Sequence, residues 1–177
     1  WLVCLMPSYA ELQVTTNFSF LRGASHPEEM ALQAAAFGYS AIGIADRNSL
    51  AGVVRAHIAA KEASIQLCVG ARLDLVDGIS LLAYPTDRAA YGRLSRLITT
   101  GRRRAPKGEC EIGRQDVLEW GEGIIFLVVP PTDLTIPVLG AQLNELITAF
   151  PGNYYIVANH LLCGGDTARL ACLADLA

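Results

Sequence analysis

The sequence is short of charge. Asp, Glu, Lys and Arg make up 18% of its 177 residues, while 52% are hydrophobic and the mean hydropathy is +0.34. Globular domains carry about 25% charged residues. A chain this apolar offsets its ordering entropy by burial, which excludes intrinsic disorder. Long apolar runs are also lacking. The longest, Ile124 to Pro131, falls far below the ~20 residues that span a bilayer, so no membrane association is expected. Positive charge is in the minority: the net charge is -3 and the pI about 5.6, so no global field draws the chain to nucleic acid.

Paired cysteines are missing too. The five cysteines, Cys4, Cys68, Cys110, Cys163 and Cys172, are odd in number and none forms C-x-x-C. A disulfide framework or a zinc knuckle is therefore not expected, and most read as small buried hydrophobes in a reducing cytoplasm. The apolar start, Trp1 to Met6, has no preceding Lys or Arg and no cleavage pattern, so it is not expected to be a signal peptide. Met6 reads as a natural start, which makes residues 1–8 an N-terminal extension and 9–177 the domain. G-x-G-x-x-G, the P-loop, H-E-x-x-H and G-x-S-x-G are all absent, which removes support for dinucleotide binding, P-loop hydrolysis and the common serine-hydrolase site.

Short strands alternating with helices are what the sequence does contain. Strands are expected at Tyr9–Thr15, Ala41–Ala45, Gln66–Val69, Ile79–Tyr84, Ile124–Val129 and Tyr154–Ala158. Ser25-His26-Pro27-Glu28 reads as a capping box opening a helix that stops at Gly38. Further helices are expected over Leu50–Ala63 (opened by Asn48 or Ser49), Asp87–Thr99 (ended by Gly101) and Gln115–Trp120. Two more carry Leu139 to Phe150 and, capped by Asp166 or Thr167, Leu170 to Leu176. Residues Gly101 to Gly113 read as a loop. This alternation predicts an α/β fold with a mostly parallel sheet, open or closed into a barrel. Chemistry then gathers at the C-terminal ends of strands, which singles out Asp46, the residues around Thr15 and Asn17, Arg72 and Asn159-His160.

Several blocks carry a resemblance. Tyr9 to Gly23 reads Y-A-E-L-Q-V-T-T-N-F-S-F-L-R-G and continues into A-S-H-P-E-E at Ala24 to Glu29. A-D-R-N-S-L-A-G-V-V-R-A-H follows at Ala45 to His57, V-G-A-R at Val69 to Arg72, and L-S-R-L-I-T-T-G-R-R-R-A-P-K-G-E at Leu94 to Glu109. In this order and spacing they resemble the N-terminus of the bacterial error-prone DNA polymerases of the C family, relatives of the polymerase III alpha subunit. Beyond Glu109 the similarity is weaker, though F-P-G at Phe150 to Gly152 still fits.

The resemblance implies a PHP (polymerase and histidinol phosphatase) domain, a distorted (β/α)7 barrel. Because the chain stops at Ala177 inside a helical pattern, this barrel is expected to be incomplete at its C-terminal end, with apolar edges left uncovered and a tendency to aggregate. Active PHP proteins hold a divalent-metal cluster and hydrolyse phosphoesters. Their His-x-His motif aligns with Gln13-Val14-Thr15, their Asp-His with Asp46-Arg47, and a glutamate ligand with Arg72. Of these five positions only Asp46 keeps a ligand-type side chain. A multi-metal site needs anionic or imidazole ligands to offset cation dehydration. Two arginines oppose this: at an effective dielectric of about 20, a like charge about 4 Å away costs on the order of 4 kcal/mol. The implied metal site is therefore vestigial, with Asp46 expected to pair with Arg47 or Arg72, and zinc or manganese is not expected there.

Arg102-Arg103-Arg104, with Lys107 nearby, is the one concentration of positive charge. It reads either as a contact for DNA phosphate or a partner, or as a solvated helix end whose cations face the dipole. No aromatic residue interleaves it, so a single-strand stacking platform is not supported. His26 and His57 read as surface or structural residues, His160 has Asp166 as its nearest potential partner, and Cys163 has no base assigned to it.

The resemblance thus implies an architectural segment, without catalysis or cofactor of its own, of a DNA-directed polymerase active in damage-induced synthesis. The parent would use magnesium held by aspartates in a polymerase module and meet DNA through the whole protein. Other replication or mutagenesis proteins are expected partners. The alternative is an active metal-dependent PHP phosphoesterase or pyrophosphatase.

Overall fold

The computed structural model describes residues 8–131, 136–162 and 164–176, and the chain divides into two compact units at Ala71/Arg72. Cys4, Met6, Cys163 and nearly all of the proposed 1–8 extension lie outside the described residues.

In the first unit, β1 (Ala10–Val14), α1 (Pro27–Ala36), β2 (Ala41–Arg47), α2 (Val53–Glu62) and the start of β3 (Gln66–Asp74) alternate as the sequence predicts. β1 and β2 are parallel, with Ala10 opposite Ala41 and Val14 opposite Ile44, and the register shifts between Glu11 and Val14. β2 is buried along Ala41 to Asp46, as a strand covered on both faces must be. The core joins Val14, Ile42 and Ile44 to Ala31, Ala34, Ala56 and Ala59. Alanines on both helices let α1 and α2 pack closely.

α1 begins one residue later than the expected box. The N-cap is His26, whose N–H donates to Glu29 Oε2 at 2.7 Å, with Pro27 at the first helical position. Glu28 instead pairs with Arg55 on α2. Its own backbone N–H first, and then that pair, hold the Glu28 carboxyl below its ordinary range against the opposing effect of burial. α2 also starts late, at Val53, because Asn48 sits in the left-handed region (φ 47°) and Ser49 Oγ accepts from Ala51 N at 3.1 Å. Those two contacts build a turn where the apolar pattern predicts helix.

In the second unit the end of β3 adjoins β4 (Ser80–Pro85), followed by α3 (Arg88–Arg104), α4 (Arg114–Trp120), β5 (Ile124–Val129), α5 (Ile136–Ala149), β6 (Tyr154–Ile156) and α6 (Asp166–Leu176). β5 pairs parallel with β6 but antiparallel with β4, from Ser80 opposite Val129 to Pro85 opposite Ile124. The mostly parallel expectation fails at this pair. Two successive helices, α3 and α4, separate the strands, and they reverse the chain once more than a single crossover helix would. Phe126 is buried at the centre of this unit, stacked on Tyr154 at 5.0 Å and tilted against Phe150 at 6.3 Å.

α3 is capped by Asp87, which accepts from Ala90 N at 2.7 Å, and it runs straight through Gly101. Gly101 is therefore not a stop. A Cβ there would sit 2.6 Å from Ile112 Cγ1 and 2.9 Å from Cys110 Sγ, so glycine serves the close approach of residues 110–112. Arg102, Arg103 and Arg104 consequently form the last helical turn and not a loop.

Cys68 and Cys110 are half-buried and Cys172 is exposed, all three as free thiols. The reading of the cysteines as buried hydrophobes is too strong for these: Cys68 on β3 and Cys110 in the segment between α3 and α4 are only partly covered, and Cys172 on α6 faces out. Burial still pushes the Cys68 thiol above its ordinary range.

Candidate functional site

In the first unit, the loop after β1 and the end of β2 meet at Asp46. β2 delivers Asp46 at its end, and the loop after β1 folds over it. The Asp46 carboxylate is 1% exposed, and three donors satisfy it. Thr16 N–H donates to Oδ1 at 2.9 Å, Thr16 Oγ1 donates to Oδ2 at 2.8 Å, and Ser19 Oγ donates to Oδ1 at 2.7 Å. Ser19 Oγ in turn accepts from Arg47 N at 2.9 Å, and Thr16 Oγ1 from Phe18 N at 3.2 Å. Gly52 closes the other side: a Cβ there would stand 2.9 Å from Asp46 Oδ2.

These contacts replace the expected ion pair. Asp46 takes its hydrogen bonds from two hydroxyls and an amide, not from a guanidinium, because the chain turn at 16–19 reaches the carboxylate first. In the second unit Arg72 has its own acid. Its Nε donates to Asp74 Oδ1 at 2.9 Å and its NH2 to Ser80 Oγ at 3.0 Å, while Ser80 Oγ donates to Asp74 at 2.8 Å. Gln13 lies on β1 and Thr15 just beyond it, both half-buried.

A metal cluster of the family type does not fit this donor set. The lone pairs of Asp46 already accept three hydrogen bonds, Gln13 and Thr15 are neutral oxygen donors, and Arg47 and Arg72 are cations. Among the described residues no group of three or more His, Cys, Asp or Glu is placed to hold a metal ion.

The arginine turn divides. Arg104 grips Asp116, NH1 to Oδ2 and NH2 to Oδ1, each at 2.8 Å, and also donates to Glu111 O at 3.2 Å. Asp116 further accepts from Gly113 N at 2.7 Å, capping α4. The guanidinium, against the opposing effect of burial, holds the Asp116 carboxyl below its ordinary range. Arg104 is thus committed to the fold although, like Arg102, Arg103 and Lys107, it is exposed.

The histidines stay apart. His26 Nδ1 lies 3.0 Å from Asn17 Nδ2, His57 is on the exposed side of α2, and His160 Nδ1 stands 3.9 Å from Asp166 Oδ2. Asp166 is occupied in accepting from Leu161 N and Leu162 N, both at 2.9 Å, so the pair organises a helix start.

Sequence reasoning missed Asp116, and it reached the hydroxyls of Thr16 and Ser19 only through the region around Thr15 and Asn17, without a role for either. The aligned ligand positions are Gln13 and Thr15, which leaves the residues beside them without a motif of their own. The available signal was the pair of hydroxyls three apart, T-N-F-S, opposite a strand-end aspartate.

A family model for the PHP domain matches residues 11–156. The error-prone DNA polymerase of Caulobacter vibrioides is 53% identical over 171 residues, which covers 96% of this chain and 16% of that protein. Error-prone DNA polymerase 2 of Agrobacterium fabrum is 50% identical over 170 residues, with the same coverage of 96% and 16%. The chain therefore spans about one-sixth of the length of these relatives. Among solved structures, a protein of Bifidobacterium adolescentis described as a metal-dependent phosphoesterase aligns with a TM-score of 0.70 at 16% identity, over 96% of this chain and 84% of that one. An amidohydrolase of Chromobacterium violaceum with bound sulfate and no metal gives 0.72 at 16% identity, over 95% and 83%. At that identity these two carry the fold alone.

Proposed function

We propose a structural role for this chain, which belongs to the PHP domain family: it serves as the PHP domain at the N-terminus of an error-prone DNA polymerase, with a vestigial metal site. One observation carries the reading. The carboxylate that retains ligand character, Asp46, spends its lone pairs on Thr16 and Ser19 and so ties a loop to a strand instead of holding a cation.

The parent protein then polymerises DNA past damage as a nucleotidyltransferase in repair synthesis, in the cytoplasm. Its module outside these residues holds magnesium on aspartates and meets DNA. The exposed cations Arg102, Arg103 and Lys107 are candidates for a phosphate or partner contact, and other replication or mutagenesis proteins are candidate partners. The identity of 53% and 50% to two error-prone polymerases supports this parentage.

The test is direct. Purified protein is assayed for stoichiometric zinc or manganese, and for metal-dependent phosphate release from nitrophenyl phosphate and pyrophosphate. The expected result is neither. Bound metal, or hydrolysis abolished by Asp46→Ala, would establish the phosphoesterase alternative.

A further inference from the structure

The loop that satisfies Asp46 also does something the tie alone does not require: it holds two large apolar side chains out in solvent. Phe20 is 85% exposed and Leu21 is 89% exposed. Phe18, two residues earlier, is only 38% exposed, and its ring edge would lie 3.2 Å from a Cβ at Gly52. Phe18 thus seats the loop on the domain while Phe20 and Leu21 form its outward tip.

This tip is rigid. Ser19 N donates to Thr16 O at 2.9 Å, Arg22 N to Ser19 O at 2.9 Å, and Gly23 N to Ser19 O at 3.1 Å. Asn17 N donates to Ser25 O at 2.9 Å, which closes the base. Beneath it lies the buried Thr16–Asp46–Ser19 contact. Leu21 is held at φ 62°, a left-handed conformation that branched side chains avoid. A domain needing only a tie across β1 and β2 has no use for an exposed leucine in a strained backbone. Strained, over-determined positions of this kind mark contact sites. Preorganised apolar anchors lose little entropy on docking.

We propose that Phe20 and Leu21 are a docking knuckle that inserts into an apolar socket on the remainder of the same polypeptide. This rests on the parentage proposed above. Two error-prone polymerases match nearly the whole chain at 50% identity or more, yet the chain accounts for 16% of each, so most of such a protein lies elsewhere in its own sequence. An occupant joined in cis acts at high effective concentration, so two side chains suffice where a separate partner would need a far larger face.

The experiment uses the protein expressed from its complete reading frame, with the photoreactive benzoylphenylalanine in place of Phe20. Irradiation and mass spectrometry are expected to give an intramolecular cross-link to a residue outside 1–177. A cross-link to a second copy, to a separate protein or only within residues 1–177, or no cross-link at all, overturns the proposal. In parallel, a double variant, Phe20→Ser with Leu21→Asn, is exposed to limited proteolysis. Asparagine tolerates the left-handed backbone, so the loop keeps its shape. Release of the N-terminal domain is expected to accelerate about tenfold, equivalent to about 1.4 kcal/mol of lost docking. An unchanged rate counts against the knuckle. Primer extension by the same protein separates the two failures: extension without the cross-link sinks the docking alone, whereas a full-frame product that cannot extend a primer sinks the parentage and its occupant together.

Discussion

Thr16 binds Asp46 through both its backbone and its side chain, N–H to Oδ1 at 2.9 Å and hydroxyl to Oδ2 at 2.8 Å. A residue on the loop after β1 thereby fixes the end of β2 thirty positions later. The bidentate contact sets the carboxylate plane, and Ser19 completes it. With three hydrogen bonds accepted, the carboxylate is fully engaged in tying the loop to the strand.

Asp46→Ala removes the acceptor for three buried donors. Leaving buried donors unsatisfied costs about 1–3 kcal/mol apiece, partly recovered as the hydroxyls rotate, so the expected loss is about 3 kcal/mol. Asp46→Asn keeps one oxygen, and its new amide can donate to a reversed Thr16 hydroxyl, so it should cost about 1 kcal/mol. Urea denaturation of both variants checks this order, and equal losses would remove the tie from the explanation.

Gly101→Ala tests why α3 continues through its glycine. Sequence position makes Gly101 look like a helix stop, and alanine in an exposed helix would normally stabilise. Ile112 Cγ1 stands 2.6 Å from the new Cβ, so the methyl must displace a fully buried side chain. Overpacking of this kind costs about 1–3 kcal/mol. A thermal melt showing equal or higher stability would restore the capping role.

The contrast between those two sites shows what the sequence made legible. Element order and type followed from periodicity and capping residues, and the family followed from ordered blocks such as A-D-R-N-S-L-A-G. Boundaries were lost wherever a tertiary contact outweighed the local signal. Gly101 reads locally as a terminator, yet its role is set by Ile112; Glu28 reads as a capping residue, yet Arg55 draws it away. The antiparallel β4–β5 pair was invisible because hydrophobic pattern carries no direction. At the site, the departure of Gln13, Thr15 and the two arginines from the resembled motif was readable in the sequence. The hydrogen bonds from Thr16 and Ser19 to Asp46 were not, since hydrogen bonding across thirty residues leaves no periodic trace.

Acid should weaken the second unit through Asp116. Its folded-state pKa is depressed, chiefly by hydrogen bonding to Arg104. A depressed carboxyl contributes stability that is fully present above the unfolded value of about 3.9 and is lost as pH falls through the folded value. The stability gap between the wild type and Arg104→Ala should therefore be widest at neutral pH and narrow below about pH 4. Carbon-detected titration by NMR should also show the Asp116 pKa rising in that variant. A gap constant down to pH 2 would mean that Arg104 acts through packing and not through the carboxylate.

Two substitutions in the Asp46 loop should move stability in opposite directions. Gly23 lies against backbone: a Cβ would fall 2.3 Å from Thr16 O and 2.8 Å from Thr15 O, and neither can swing aside as a side chain would. Gly23→Ala must therefore open the loop and disturb the Thr16–Asp46 contact, costing about 2 kcal/mol or more. Leu21 is the converse case. Its side chain buries almost nothing, and its left-handed backbone costs about 1–2 kcal/mol, which glycine relieves at an unfolded-state entropy cost of about 0.5–1 kcal/mol. Leu21→Gly should thus leave the 177-residue chain as stable as before or up to about 1 kcal/mol more stable. Denaturant midpoints for the two variants decide the matter. A clear loss of stability in Leu21→Gly would mean that the leucine already serves these residues, and its exposure would no longer call for anything outside them.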